Sequence, residues 1–147
     1  MRGYCGIGVL NMKTEINYGT LFRSAFAFDA DFIFLIGKRF KKQSSDTAKT
    51  HKHLPLFEYE TFDDFYGHIP YDCRLISVEI CDKAKPIKIF AHPERAVYLL
   101  GKEDGSLPQN VIDKSWGVIK ISTKYCLNVS VAGSIVLFDR FNKLKEG

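Results

Sequence analysis

The sequence has 147 residues, of which 46% are hydrophobic and 26% are charged. These proportions are ordinary for a folded protein, so they exclude a disordered chain and predict one domain over residues 1–147. The formal net charge of +4 permits an anionic partner such as a nucleic acid but does not require one.

The first third of the chain predicts a strand, a helix and a second strand. Tyr4–Leu10 is a short apolar run typical of a buried strand. Apolar residues then recur at helical spacing over residues 18–28, with Asn17 at the position of an N-cap. Phe32–Ile36 is a continuous apolar run, as found in strands that are covered on both faces. Together these elements predict a β-α-β unit.

A polar, basic segment follows over residues 38–55. It carries four cations close together, and they are Lys38, Arg39, Lys41 and Lys42. Such a cluster can contact RNA phosphates, although a solvated basic loop would have the same composition.

The rest of the chain continues the alternation of strands and helices. Strands are predicted at residues 56–59, 75–78, 96–100 and 117–121, with short helices at 61–66 and 108–114. From Val129 onward a final helix is apolar over much of its circumference, so it is either deeply buried or packed against a second subunit.

This alternation favours an α/β fold with a mostly parallel sheet flanked by helices. Ligands of such sheets bind at the carboxyl ends of the strands. A ligand site is therefore expected in the loops that follow Leu10, Leu100 and Ile121, and each of them contains a motif.

The first motif reads Asn-Tyr-Gly-Thr-Leu-Phe-Arg over residues 17–23, and the second reads Leu-Gly-Lys-Glu-Asp-Gly-Ser-Leu-Pro over residues 100–108. The third reads Ile-Ser-Thr-Lys-Tyr-Cys-Leu-Asn-Val-Ser-Val-Ala over residues 121–132. Each alone has an ordinary structural explanation, such as a helix cap at Asn17 or Asn128 or a tight turn near Gly101. In this order and spacing, however, the three segments resemble the signature motifs of the SpoU (TrmH-like) RNA methyltransferases of the SPOUT superfamily.

The resemblance covers essentially the whole chain. It implies a SPOUT fold with a deep C-terminal trefoil knot, a homodimer formed through the last helix, and methyl transfer from S-adenosylmethionine to a ribose 2′-hydroxyl of RNA. A small domain of this kind is similar to the members that methylate tRNA, which makes tRNA the favoured substrate and rRNA the alternative.

The resemblance also assigns roles to individual residues. The catalytic candidates are Arg23, Asn17, Glu103 and Asn128. The candidates for binding S-adenosylmethionine are Val78, Leu100, Gly101, Ile121, Cys126 and Leu127. Two positions depart from the family pattern: Ser106 lies between Gly105 and Leu107, and Cys126 stands where serine is common.

Two other classes of protein were considered. A SAM-binding or RNA-binding module with a decayed site would keep the fold, and Cys126 is the one residue that favours it. A nucleotide-binding oxidoreductase needs a G-x-G-x-x-G motif after the first strand. The glycines Gly6 and Gly8 lie within that strand and no third glycine follows, so this class is excluded.

The four cysteines are scattered, and no C-x-x-C pair or metal-like spacing occurs among them and the histidines. The sequence therefore predicts no metal site. Neither a signal peptide nor an apolar stretch of membrane-spanning length, about 18 to 20 residues, is evident. We expect a cytoplasmic protein with reduced thiols that does not associate with membranes.

Overall fold

The computed structural model describes residues 3–11, 16–37, 54–101 and 107–145. The strands within these residues are β1 (Tyr4–Leu10), β2 (Phe32–Ile36), β3 (Leu56–Tyr59), β4 (Arg74–Val78), β5 (Lys85–Pro86), β6 (Arg95–Leu100) and β7 (Gly117–Lys120). The helices are α1 (Ile16–Ala27), α2 (Phe62–Gly67), α3 (Gln109–Lys114) and α4 (Val129–Lys145), with a 3₁₀ helix at Ile87–Ile89.

All seven strands form one sheet in the order β3-β2-β1-β6-β4-β7-β5, and every pair is parallel. The predicted α/β class is therefore confirmed. The trefoil knot and the single domain over residues 1–147 stay predictions.

Helices cover both faces of the sheet, so the molecule has three layers and two cores. On one face α1 and α4 contribute residues such as Leu21 and Val136. On the other face α2 and α3 contribute residues such as Phe65 and Val111. Burying each of these side chains contributes roughly 1.5 to 3 kcal/mol, which is what holds the helices to the sheet. Strands covered on both faces have no solvated side, which explains the continuous apolar run of β2.

The two glycines of β1 are explained by packing. A Cβ atom on Gly6 would collide with the ring of Phe32, and one on Gly8 would collide with Phe34. Both phenylalanines belong to β2, which pairs with β1 in the register Gly6↔Phe32 and Gly8↔Phe34. The glycines therefore make room for two aromatic rings on one face of the sheet and are not part of a nucleotide-binding loop.

The sequence placed β1, β2 and β3 with the bounds observed here, but it was wrong about the start of α1. That helix begins at Ile16, so Asn17 lies in its first turn and is not the N-cap. At the other end, Asp29 has a φ of 64°, and the Ala30 N–H donates to the Ala25 carbonyl at 2.8 Å. A left-handed residue just past the last turn is a common way to terminate a helix.

The sequence also missed β5 and the 3₁₀ helix. β5 has two residues, one of them Pro86, and pairs only with β7 at the edge of the sheet. The end of α4 closes over this region, because Lys143 Nζ donates to the carbonyls of Ile87 at 2.8 Å and Phe90 at 3.0 Å. These contacts attach the last helix to the connection between β5 and β6.

Candidate functional site

Three neighbouring strands end together at the carboxyl edge of the sheet. β4 lies between β6 and β7, and Val78, its last residue, pairs with Leu100 of β6 and with Ile119 of β7. The loops that leave these three strands must therefore begin side by side. Parallel strands gather ligand-binding loops at this edge, as the sequence analysis expected.

The loops enclose a cleft of about 170 Å³ at this edge. All six residues that the family resemblance assigned to the cofactor line it: Val78, Leu100, Gly101, Ile121, Cys126 and Leu127. Five further residues of the described part of the chain also line the cleft, and they are Glu79, Ile80, Thr123, Val129 and Ala132. The cleft therefore unites the second and third motifs with the end of β4.

The lining suits a ligand that is part apolar and part polar. Val78, Leu100 and Ile121 provide aliphatic walls against which a flat purine can pack. Polar groups lie beside them, including the Thr123 hydroxyl and the backbone of Gly101, where no side chain keeps a ligand away. Ribose hydroxyls and an amino-acid group need such partners, so the residues present fit S-adenosylmethionine.

The sequence analysis did not identify Glu79, although it follows directly after the assigned residue Val78. One oxygen of its carboxylate accepts a hydrogen bond from the Ile80 N–H at 2.9 Å, and the other accepts one from the Leu107 N–H at 2.8 Å. Leu107 lies near the end of the second motif, and within that motif the structure describes residues 100, 101, 107 and 108. Glu79 thus attaches the end of that motif to the end of β4. A charged residue immediately after an apolar strand was the sequence signal that could have identified it.

Asn128, the asparagine of the third motif, lies at the start of α4. Its Oδ1 accepts hydrogen bonds from the Ser130 N–H at 2.9 Å and from the Ser130 hydroxyl at 2.6 Å. The alternative of a helix cap is therefore observed for this residue. The cap uses the amide oxygen, and Asn128 itself is exposed. Its amide NH₂ group is a donor that the cap does not require.

Arg23, the arginine of the first motif, is exposed on α1 and does not line the cleft described above. Its helix is fixed against α4 at two places. The side chain of Leu21 packs against Gly133, and the hydroxyls of Ser24 and Ser134 share a hydrogen bond of 2.6 Å. The first and third motifs are therefore held on two helices in contact.

Glu103 and the basic residues Lys38, Arg39, Lys41 and Lys42 lie outside the described residues. For Asn17 the structure gives the position of the backbone in the first turn of α1.

Near the amino end of β6, away from the cleft, the guanidinium of Arg140 in α4 is buried. Arg140 is 1% exposed and donates to the Pro93 carbonyl at 2.7 Å, to the Glu94 carbonyl at 2.6 Å and to the Tyr98 hydroxyl at 3.0 Å. Burial raises the pKa of the neighbouring Cys5 thiol to about 11, and the cation opposes that rise. The cluster joins α4 to β1 and β6.

His92 extends this cluster towards the surface. One ring nitrogen shares a hydrogen bond of 2.7 Å with the Tyr98 hydroxyl, and the other lies 2.7 Å from a carboxylate oxygen of Asp139. Burial lowers the pKa of His92 even though Asp139 acts in the opposite direction. The group lies at the amino end of β6, away from the cleft at its carboxyl end, so it has a structural role.

Two further findings concern metal sites and membrane spans among the described residues. No group of three or more histidine, cysteine or acidic side chains in them could hold a metal ion. None of the helices there has the length and apolar character needed to cross a membrane.

Comparison with solved structures shows the same fold in RNA methyltransferases. An rRNA methyltransferase from Sinorhizobium meliloti with bound AdoMet superposes with a TM-score of 0.83 at 20% identity, over 98% of this chain and 58% of that one. The present chain therefore spans little more than half of that protein. A protein solved to study the 2-OH methylation of C/U34 on tRNA gives a TM-score of 0.83 at 19% identity, over 99% of both chains.

A third relative, the TrmH/SpoU tRNA modifying enzyme of A. aeolicus, gives a TM-score of 0.83 at 18% identity, over 97% of this chain and 76% of that one. No curated protein matches the chain by sequence alone. The family model of the SpoU rRNA methylases, in contrast, matches residues 6–138 and so includes the whole cleft. The chain belongs to the SpoU rRNA methylase family.

Proposed function

We propose that this chain transfers a methyl group from S-adenosylmethionine to the 2′-hydroxyl of a ribose in tRNA. One observation supports the proposal above all others. Six residues that the family resemblance assigned to the cofactor, separated by up to 49 positions in the chain from Val78 to Leu127, line one cleft at the carboxyl edge of the sheet. Membership of the SpoU family supports the same reaction.

The reaction requires help from the protein, because a ribose hydroxyl is a weak nucleophile. S-adenosylmethionine supplies a methyl group on a positively charged sulfur. The 2′-oxygen forms a bond to the methyl carbon while the carbon–sulfur bond breaks, and the hydroxyl proton must leave. The residues of the chain hold the 2′-hydroxyl in line with the methyl carbon and the sulfur, and they provide an acceptor for the hydroxyl proton.

Arg23 is the residue that we assign to the substrate. Its guanidinium can hold an RNA phosphate through two parallel hydrogen bonds and so orient the adjacent ribose. Arginine is fully protonated near neutral pH, so it can accept the hydroxyl proton only if a bound phosphate assists. Positioning is therefore its first role. Asn17, Glu103 and Asn128 are assigned to the same catalytic group by their positions in the motifs.

The preference for tRNA is supported by the relative studied for 2-OH methylation of C/U34, since the two chains match over 99% of both lengths. The Sinorhizobium relative favours rRNA as the alternative, and a module that binds without catalysis is the other alternative. The basic residues Lys38, Arg39, Lys41 and Lys42 would contact phosphates of the RNA, whichever RNA it is.

We also infer that the chain forms a homodimer through α1 and α4. Phe26 of α1 and Val131 and Phe138 of α4 are all exposed, although the two helices pack together on the same face of the sheet. Large apolar side chains exposed on two helices that pack together favour contact with another subunit. A second subunit could also bring its own Arg23 to the cleft, which the Arg23 of the same chain does not line.

The compartment that we propose is the cytoplasm. All four cysteines lie in described segments, and all four are free thiols. Free thiols suit the reducing compartment in which tRNA is processed.

Two measurements test the proposed function. Calorimetry with S-adenosylmethionine and with its demethylated product should detect binding to the purified chain without RNA. Mass spectrometry of nucleosides from tRNA and rRNA, with and without the protein, should then reveal one 2′-O-methylated nucleoside in tRNA that depends on the protein. A dependent nucleoside in rRNA would establish the alternative substrate. Binding with no dependent nucleoside would favour the inactive module, and no binding at millimolar ligand would contradict the enzyme.

A further inference from the structure

Glu79 is the charged residue among the eleven described residues that line the cleft. It directly follows β4 and is partly buried. Both of its carboxylate oxygens accept hydrogen bonds from backbone N–H groups, one from Ile80 and one from Leu107. Two backbone donors hold the group in place and leave its negative charge at the wall of the cleft. Among the described residues of the lining, every other side chain is apolar or uncharged, and none of them carries a positive charge that would neutralise the carboxylate.

The two ligands of a methyltransferase differ in charge at one atom. S-adenosylmethionine carries a positive sulfonium, whereas the sulfur of its demethylated product is a neutral thioether. The amino-acid and adenosine parts of the two molecules are the same. A fixed negative charge in the cleft therefore acts differently on the two ligands only through the sulfonium.

We propose that Glu79 is a specificity-determining residue: its carboxylate makes the cleft favour the cationic methyl donor over the neutral product. The inference rests on the proposed function, because it assumes that the cleft holds S-adenosylmethionine. Its consequence is kinetic as well as thermodynamic. A cleft that favours the donor releases the product more readily and is less inhibited by it.

The size of the effect follows from electrostatics in a partly exposed cleft. Two opposite charges about 8 Å apart, in surroundings between those of a protein surface and water, change an affinity by roughly three- to tenfold. The same interaction is weakened by salt, because the Debye length falls from about 10 Å at 0.1 M to about 3 Å at 1 M ionic strength. The preference for the donor should therefore decrease at high ionic strength.

The decisive variant is Glu79→Gln, which removes the charge and keeps the shape of the side chain. It also loses one of the two acceptors for backbone N–H groups, so the binding of both ligands can weaken through a displaced loop. The ratio of the two dissociation constants cancels such a shared loss. We expect the preference for S-adenosylmethionine over the product, measured by calorimetry, to fall by about three- to tenfold in Glu79→Gln.

The matched control is Glu94→Gln. This substitution removes the same charge from an exposed residue just before β6, at the opposite edge of the sheet from the cleft. It should leave the ratio unchanged. Thermal unfolding of both variants verifies that they are folded, and the ionic strength series on the unchanged protein gives a second measurement that requires no substitution.

The outcomes separate this inference from the proposed function. If the unchanged protein binds neither ligand, the proposed function fails. If it binds both and Glu79→Gln weakens both equally, Glu79 only holds the loop or a shared group of the ligands, and the charge discrimination is overturned. A ratio that does not respond to salt in the unchanged protein would overturn it as well.

Discussion

Asn128 and Ser130 form a double hydrogen bond at the start of α4: the Asn128 side-chain oxygen accepts from the backbone N–H of Ser130 at 2.9 Å and from its hydroxyl at 2.6 Å. The oxygen of the amide therefore stabilises the helix, while the NH₂ group on the same carbon remains a donor that the cap does not use. The Asn128 side chain can therefore stabilise the helix through its oxygen and take part in catalysis through its NH₂ group, and substitutions can test these two roles separately.

Replacing Asn128 by Asp should keep the cap and remove the donor. We expect the free energy of unfolding of Asn128→Asp, measured in urea, to stay within about 0.5 kcal/mol of the unchanged protein, because Asp and Asn are equally good caps. Asn128→Ala should cost about 1 kcal/mol. Methyl transfer should be lost in both variants. Full activity in Asn128→Asp would show that the amide donor has no part in catalysis.

Replacing Arg23 by Ala should abolish methyl transfer and leave the cofactor affinity unchanged. The reason is that Arg23 does not line the cleft, and we assign it to the RNA. A loss of at least about a hundredfold in kcat/KM is expected for a positioning residue. The control is Arg74→Ala, an exposed arginine at the amino end of β4. If Arg23→Ala loses cofactor binding instead, our assignment of the residue is wrong.

Two inactive variants should restore activity when their subunits exchange. A site shared between chains would combine Arg23 of one subunit with Asn128 of its partner. In a mixture of Arg23→Ala and Asn128→Ala, about half of the dimers are mixed and each has one intact site, which restores about a quarter of the activity. Native mass spectrometry verifies the exchange. A mixture that exchanges and stays inactive would place each site within one chain.

Cys126 should tolerate replacement by serine, the residue common at this position in the family. Cys126 is exposed and lines the cleft, and we expect its backbone to matter more than its thiol. Cys126→Ser should therefore retain methyl transfer. A bulky thiol reagent should react at Cys126 well before Cys5, whose pKa burial raises to about 11, and should weaken cofactor binding. Loss of activity in Cys126→Ser would indicate a specific role for the thiol.

Arg140 should be among the most important residues for stability. Arg140→Met would leave the Pro93 and Glu94 carbonyls and the Tyr98 hydroxyl without this buried donor. We expect a loss of about 3 kcal/mol or more in the free energy of unfolding. Lys143→Met, one turn later on α4, should cost less than about 1 kcal/mol because Lys143 is partly exposed and water can replace it. Equal costs would mean that burial of the Arg140 cluster contributes little.

The sequence by itself determined the class of the fold and the bounds of its central strands. β1 and β2 were predicted with their observed limits because strands covered on both faces need uninterrupted apolar runs, and such runs are readable without an alignment. The second and third motifs also contain several of the residues that line the cleft, since loops at the carboxyl ends of parallel strands lie at one edge of the sheet whatever the details of packing.

Only the tertiary structure decided what depends on contacts between distant segments. β5 is two residues long and includes Pro86, so it has no period that a sequence pattern could reveal, and it exists because β7 lies beside it. Arg140 occurs at the same helical spacing as the apolar residues of α4. That spacing shows which side of the helix is covered, but it does not show which hydrogen-bond acceptors lie against it, so the burial of Arg140 could not be predicted. Glu79 likewise became part of the cleft only when β4 was brought between β6 and β7, where its carboxylate reaches Leu107, 28 positions further along the chain.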